Sequence, residues 1–176
     1  GDLIQLIKGN AEELPFESNT FDLVYSHGVL HHAENTMLCI SEAIRVLKPG
    51  GNLKLMVYSN FSASGIMLWF LYGLMRGKPF MSQEEIIYRY LESPGTKSYS
   101  KKEFKKIMNG FGLKDLSIKK FAGCGDKLLI PPSFKYKNNL FFKFIKIVFP
   151  RFVVTKFENI LGMALTVNAY KQKIYN

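Results

Sequence analysis

The feature that most constrains this chain is the break Lys48-Pro49-Gly50-Gly51, because it separates two segments of opposite period. Before it, Met37, Ile40, Ala43, Ile44 and Leu47 recur at three- and four-residue spacing, which predicts a helix over 36–47 with one buried face. A cation near the helix's negative end, a proline that cannot continue it and glycines free to turn left-handed then stop it. After the break, Leu53–Tyr58 reads as a strand. Upstream, Phe21–Tyr25 reads as another, entered through the polar turn Glu17–Thr20, and Leu3–Ile7 as a third, closed by Lys8-Gly9-Asn10. Strand, connection, strand, helix, tight turn, strand is the order of an α/β layered fold with a mainly parallel sheet.

Beyond Tyr58 the pattern changes. Residues 62–76 form an unusually apolar helical stretch, and 77–100 are polar and rich in turns, with a short helix around Gln83–Leu91. Ser100-Lys-Lys-Glu103 is a capping box, opening a helix that runs to about Asn109 and ends at Gly110-Phe111-Gly112. Leu113–Phe121 and Leu161–Lys171 read as late strands. Between them Leu140–Val154 is dense in phenylalanine and lysine. These shifts divide the chain into a core piece at 1–60, a helical insertion or lid at 61–100, and a remainder at 101–176 with a basic, aromatic cover segment at 135–157.

With 176 residues the chain can build one sizeable core. Its net charge of +10 is uneven: residues 1–100 carry −2 and residues 101–176 carry +12. A basic tail of that kind suits nucleic acid, an anionic membrane or an anionic substrate, and charge alone does not choose among them. The aromatics cluster as core-like runs with no nucleic-acid motif beside the lysines, so no nucleic acid is expected. Cys39 and Cys124 lie far apart and make no metal-like pair, which fits a reducing cytoplasm. The longest apolar run, Ile66–Met75, is about half of what a membrane span needs.

Three elements carry the functional reading: Gly9-Asn-Ala-Glu-Glu-Leu-Pro-Phe16, then Phe21-Asp-Leu-Val-Tyr-Ser-His-Gly-Val-Leu-His-His32, then Arg45-Val-Leu-Lys-Pro-Gly-Gly51 before a strand. Their order and spacing closely resemble the class I S-adenosylmethionine-dependent methyltransferases, in particular the group that includes the ubiquinone and menaquinone biosynthesis methyltransferases. The resemblance is strongest over residues 3–58 and continues more faintly through Ser98–Leu113. It implies a Rossmann-like class I methyltransferase fold, mainly parallel with an antiparallel late strand. The glycine-rich cofactor loop of that family precedes the part matched here, so the chain is expected to lack the first strands and to hold its cofactor poorly by itself.

In open α/β sheets ligands bind beyond the carboxyl ends of the strands, where Gly9–Phe16, Ser26–His32 and Tyr58 all fall. By resemblance, Asn10 stands where the family usually has Asp accepting from the adenine amino group, and its amide oxygen can still accept. The backbone N–H of Ala11 would reach a ring nitrogen of the S-adenosyl-L-methionine. Leu14 and Phe16 read as walls of the adenine, as anchors of the loop or as plain core. Ser26, His27 and Gly28 would line the methionine part of the cofactor, with Gly28 letting the backbone pass close. Tyr58 and Trp69 are assigned to the substrate wall. His31 and His32 are the candidates for a general base or for orienting the acceptor, against a structural or lining role. Related quinone methyltransferases can hold a metal in this region through glutamates, but Gly28 and His31 occupy those positions, and no metal is expected.

The resulting expectation is methyl transfer to a small-molecule or lipid-like acceptor, by a cytoplasmic protein with a peripheral membrane contact through 140–154 as one reading of that segment. A helix packed on the sheet with lysines snorkelling outward is the other. The alternative function is a non-catalytic methyltransferase-like module that binds a membrane surface or a partner. Serine hydrolysis, suggested by Val24-Tyr25-Ser26-His27-Gly28, lacks the first glycine of a nucleophile elbow.

Overall fold

Residues 4–127 and 151–173 are described by the computed structural model. A five-stranded sheet organises them: β1 (Phe21–His27), β2 (Leu47–Ser59), β3 (Ser98–Tyr99), β4 (Lys114–Phe121) and β5 (Ala164–Tyr170). The order is β1-β2-β5-β4, with β3 paired to the end of β2. β1 and β3 run parallel to β2, whereas β5 runs antiparallel to both β2 and β4. Four strands therefore share one direction and β5 alone is reversed, as the sequence predicted for a late strand.

The helix predicted over 36–47 is α1, Thr36–Arg45, capped by the Asn35 side chain accepting from the Leu38 N–H. Leu47 belongs instead to β2, which starts earlier than the predicted Leu53 because Lys48–Gly51 pairs outward rather than merely turning: Gly50 and Gly51 exchange backbone bonds with Lys171. Lys171 also ends α1. Its ammonium donates to the carbonyls of Ile44 (2.8 Å), Arg45 (3.2 Å) and Leu47 (2.7 Å), placing a cation at the negative end of the helix.

The core lies on one face of the sheet. Leu53, Leu55 and Val57 of β2 alternate inward with Leu165, Val167 and Ala169 of β5 and meet Ile40 and Ala43 of α1 and Phe104 and Met108 of α4 (Lys101–Asn109). The α4 capping box forms as its sequence predicted. On the opposite face, Tyr25, His27, Lys54, Ser117, Lys119, Thr166 and Asn168 surround an open hollow.

α2 (Ala63–Tyr72) leaves directly from the carboxyl end of β2, and α3 (Gln83–Tyr90) packs back against it. Two short helices, α5 (Arg151–Lys156) and α6 (Glu158–Leu161), lead into β5. Asp126 ties these pieces together. Its carboxylate is 2% exposed and accepts from the N–H and hydroxyl of Ser64 (3.2 and 2.7 Å), the Gly123 N–H (3.0 Å) and the Met163 N–H (2.8 Å). It thereby joins the first turn of α2, the turn after β4 and the entry to β5.

One predicted strand is corrected. Residues 4–9 are exposed and belong to no strand. The reason is that a strand is made by its neighbours: among the described residues β1 pairs with β2 alone, and none of them pairs with residues 4–7. The cover segment 135–157, with the proposed membrane contact at 140–154, lies outside the described residues except for its end at 151–157.

Candidate active site

Two loops make up the candidate site: residues 10–16, which run along α1 from Asn35 at its start to Arg45 at its end, and the turn that follows the carboxyl end of β1. The first, residues 10–16, is held by α1. The Glu42 carboxylate accepts from the Leu14 N–H (2.9 Å), while the Arg45 guanidinium donates to Glu42 (2.7 and 2.8 Å), the Phe16 carbonyl (2.8 Å) and the Leu14 carbonyl (3.1 Å). The Arg45 bonds, followed by the Leu14 N–H, hold the Glu42 carboxyl down at about 2. Within the loop, Asn10 accepts the Glu12 N–H on its side-chain oxygen (3.0 Å), and Glu12 accepts the Asn35 N–H (2.7 Å), which fastens the loop to the start of α1. Ala11 packs on the main core. Leu14 and Phe16 line a shallow groove with Phe21, Leu23, Val24, Tyr25 and Val46.

The second loop follows β1. Ser26 is still paired with Leu55 of β2, and His27 with Met56. Gly28 turns the chain at φ +73°, a left-handed conformation that suits glycine, and its N–H bonds the Met56 carbonyl at 3.2 Å. A single 3₁₀ turn, Leu30–His32, comes next. His31 is wholly buried, with its ring 4.3 Å from that of His32 and 4.2 Å from that of Tyr58. Neither of its nitrogens has a hydrogen-bond partner among the described residues. Burial first, then the charges of His32 and Lys97, lower its pKa to about 3. His31 is a neutral ring in the wall.

His32 has a different setting. Its Nε2 lies 3.2 Å from one carboxylate oxygen of Glu92, whose other oxygen accepts the Tyr58 hydroxyl at 2.7 Å. The Thr96 hydroxyl is 3.2 Å from its Nδ1. Desolvation, and then the Glu92 carboxylate, raise the Tyr58 phenol well above its ordinary pKa, so it stays a donor. Glu92 itself sits at φ +53°, an uncommon conformation for a side chain of its size, held by this network.

Beside the network lies a cavity of about 280 Å³. Met56, Leu91, Phe121, Met163 and Ala164 supply its apolar wall, and His27, Tyr58, Glu92 and Asp126 its polar groups. Of the residues assigned from sequence, His27 and Tyr58 reach this wall. His31 and His32 stand behind Tyr58 and Glu92. Trp69 lies further along α2, where its indole N–H donates to the Pro79 carbonyl at 3.2 Å. Sequence reasoning missed Glu92 and Asp126. Neither sits in a local pattern that marks it: Glu92 meets Tyr58 across 34 residues, and apart from Gly123 the donors to Asp126, Ser64 and Met163, lie 62 and 37 residues away. Arg45 could have been found: it stands in the quoted Arg45–Gly51 segment, one helical turn past Glu42.

Known proteins resemble this chain in both sequence and fold. A family model described as "Methyltransferase domain" matches residues 1–55. The demethylmenaquinone methyltransferase of Bacillus licheniformis is 34% identical over 125 residues, covering 68% of this chain and 53% of that protein. Together these matches support a class I S-adenosylmethionine-dependent methyltransferase. A second class I methyltransferase, the ubiquinone/menaquinone biosynthesis C-methyltransferase of Bartonella tribocorum, is 27% identical over 125 residues, covering 69% and 48% of the two chains. The chain thus spans about half the length of the curated relatives it matches. Solved methyltransferases share the fold. The SAM-dependent methyltransferase from Thermotoga maritima described as a possible histamine N-methyltransferase has a TM-score of 0.54 at 18% identity, covering 96% of this chain and 65% of that one. Haemonchus contortus phosphoethanolamine N-methyltransferase 2, in complex with S-adenosyl-L-methionine, has a TM-score of 0.56 at 17% identity, covering 93% and 36%.

The residues present fit one end of the family's cofactor. The Asn10 oxygen spends one lone pair on Glu12 and keeps a second for an adenine amino group, and the left-handed Gly28 leaves the backbone open beside Met56. Both loops are fastened before any ligand arrives.

Proposed function

We propose that this chain forms the acceptor side of a methyltransferase acting on a small or lipid-like molecule that carries a hydroxyl on an apolar, aromatic body. The observation that carries this reading is the Glu92 carboxylate on the cavity wall, held from one side by Tyr58 and from the other by His32. S-adenosyl-L-methionine, when bound by Asn10, Ala11 and the Ser26–Gly28 turn, supplies a methyl group made electrophilic by the adjoining sulfonium.

The protein's own residues do the rest. Met56, Leu91, Phe121 and Met163 take the apolar body of the acceptor and keep water from the reacting centre. Glu92 accepts the acceptor's hydroxyl proton, so that electron density moves toward the atom being methylated. Tyr58 and His32 fix the carboxylate in place, which makes them positioning residues, and the buried His31 ring supports both by tilted ring contacts. The names of the relatives, which point to demethylmenaquinone and related quinones, fit an acceptor of this description.

The test, made on the full-length protein, is calorimetric titration with S-adenosylhomocysteine, followed by transfer of labelled methyl to a reduced, hydroxylated naphthoquinone. Glu92→Gln is expected to lower kcat about 10²-fold or more while leaving the affinity for S-adenosylhomocysteine unchanged. Unchanged kcat overturns the role of Glu92. Failure to bind S-adenosylhomocysteine favours the non-catalytic module instead.

A further inference from the structure

The turn between α2 and α3 is a feature that the methyl-transfer reading does not use. Only Ala63, Ser64 and Gly65 of α2 are buried, and the apolar residues 66–72 are half-buried. Beyond them the chain turns through Leu74–Arg76, passes Gly77 at φ +70°, and returns by Lys78-Pro79-Phe80. At this tip Leu74 is 43%, Met75 64% and Phe80 99% exposed. The tip is nevertheless firmly built. Gly73 donates to the Trp69 carbonyl (2.8 Å), Lys78 to that of Gly73 (2.8 Å), Gly77 to that of Leu74 (3.1 Å), and the Trp69 indole to that of Pro79 (3.2 Å). At its neck the Tyr72 and Tyr90 rings stack at 4.4 Å, with the Arg76 guanidinium 4.7 Å from the Tyr72 ring centroid.

We propose that this tip is a docking surface for an anionic phospholipid bilayer. A rigid turn that holds three apolar side chains in water offers them to an apolar phase with little further loss of conformational freedom. Arg76 and Lys78 stand in the same turn, where lipid phosphates would lie, and Trp69, Tyr72 and Tyr90 gather at the neck as amphipathic rings do at a membrane interface. Glu84 and Glu85 open α3 behind the tip, and Glu85 is paired with Arg89 at 2.9 Å. A second copy of the chain is a poorer occupant, because three side chains on a convex turn bury far less than the roughly 1,200 Å² that a stable interface needs. The placement also connects to the cavity. Ser64 lines it from the first turn of α2, and the ten-residue helix places the tip about 15 Å away along its axis.

Trp69 is the chain's only tryptophan and so reports on the tip directly. The experiment mixes the protein with vesicles of phosphatidylcholine alone or with added phosphatidylglycerol, and follows flotation and Trp69 emission. Binding and a blue shift are expected with the anionic vesicles, weakening on added salt by about fivefold per cation released from the surface. Phe80→Asp and Met75→Asp should each reduce binding at least about tenfold with the circular dichroism spectrum unchanged, since both side chains are exposed. Three results overturn the proposal: no binding to either vesicle, binding that survives Phe80→Asp, or concentration-dependent self-association that Phe80→Asp abolishes.

Discussion

Replacing His31 with phenylalanine separates a structural ring from a titrating one. The native imidazole is wholly buried, lacks hydrogen-bond partners among the described residues, and has its pKa lowered to about 3, whereas in the unfolded chain it titrates near 6.5. A base whose native pKa is depressed binds fewer protons folded than unfolded, so its contribution to stability is complete above the unfolded value and declines as pH falls below it. From about pH 7 to about pH 5 the unfolded state takes up most of one proton here and the native state almost none, which costs about 2 kcal/mol. Any native pKa below about 4 gives the same loss over that window, so the expectation does not depend on the depth of the shift. For a chain of this size the loss lowers Tm by about 4–8 °C. Phenylalanine keeps a ring against Tyr58 and His32 and brings no nitrogen to satisfy, so near neutrality the variant should be at least as stable as the parent. The assay is urea or thermal unfolding of both proteins at several pH values across the window. If the parent and His31→Phe lose stability in parallel, the ring is not the neutral, dry group described here.

Arg45→Ala tests the clamp on the adenine loop. Amide exchange at Leu14 should accelerate about tenfold or more, because that N–H donates to a carboxylate that Arg45 holds, and affinity for S-adenosylhomocysteine should fall with it. Arg45→Lys should rescue little, since an ammonium cannot span the Leu14 and Phe16 carbonyls as the guanidinium fork does. Unchanged Leu14 exchange in Arg45→Ala would remove the clamp. Asp126→Ala leaves three backbone N–H groups and the Ser64 hydroxyl without their acceptor, at a cost of about 3–5 kcal/mol in urea unfolding. Asp126→Asn should be almost as damaging, because its NH₂ must face donors; a loss under about 1 kcal/mol in either variant would refute the anchoring role.

Much of the sheet was legible because its signals are local. The spacing of Met37, Ile40, Ala43 and Ile44 needs only a helix period, the Ser100 capping box only four residues, and each appears in the structure within two residues of where it was expected. The reversed β5 and the loop–strand–loop order of residues 9–32 followed from a family pattern carried in short segments. Leu3–Ile7 shows the limit of such reading. Its composition suits a strand, but residues 4–7 join no ladder, because the bonds that make a strand come from a neighbouring chain and not from the segment itself.

The candidate site divides in the same way. The Lys48-Pro49-Gly50-Gly51 break and its flanking periods determined the layered class, and the Gly9–Phe16 and Ser26–His32 segments marked the loops of the candidate site. What only the tertiary structure decided is which side chains face the cavity. His31 and His32 are adjacent in sequence, yet one is a dry ring behind Tyr58 and the other meets Glu92, which arrives from sixty residues away on the return from α3. Glu92 and Asp126 gain their roles from the donors that folding brings to them across the chain. Sequence period reports on a segment's own backbone geometry, while hydrogen bonding and desolvation depend on neighbours distant in sequence, which exist only once the sheet has assembled.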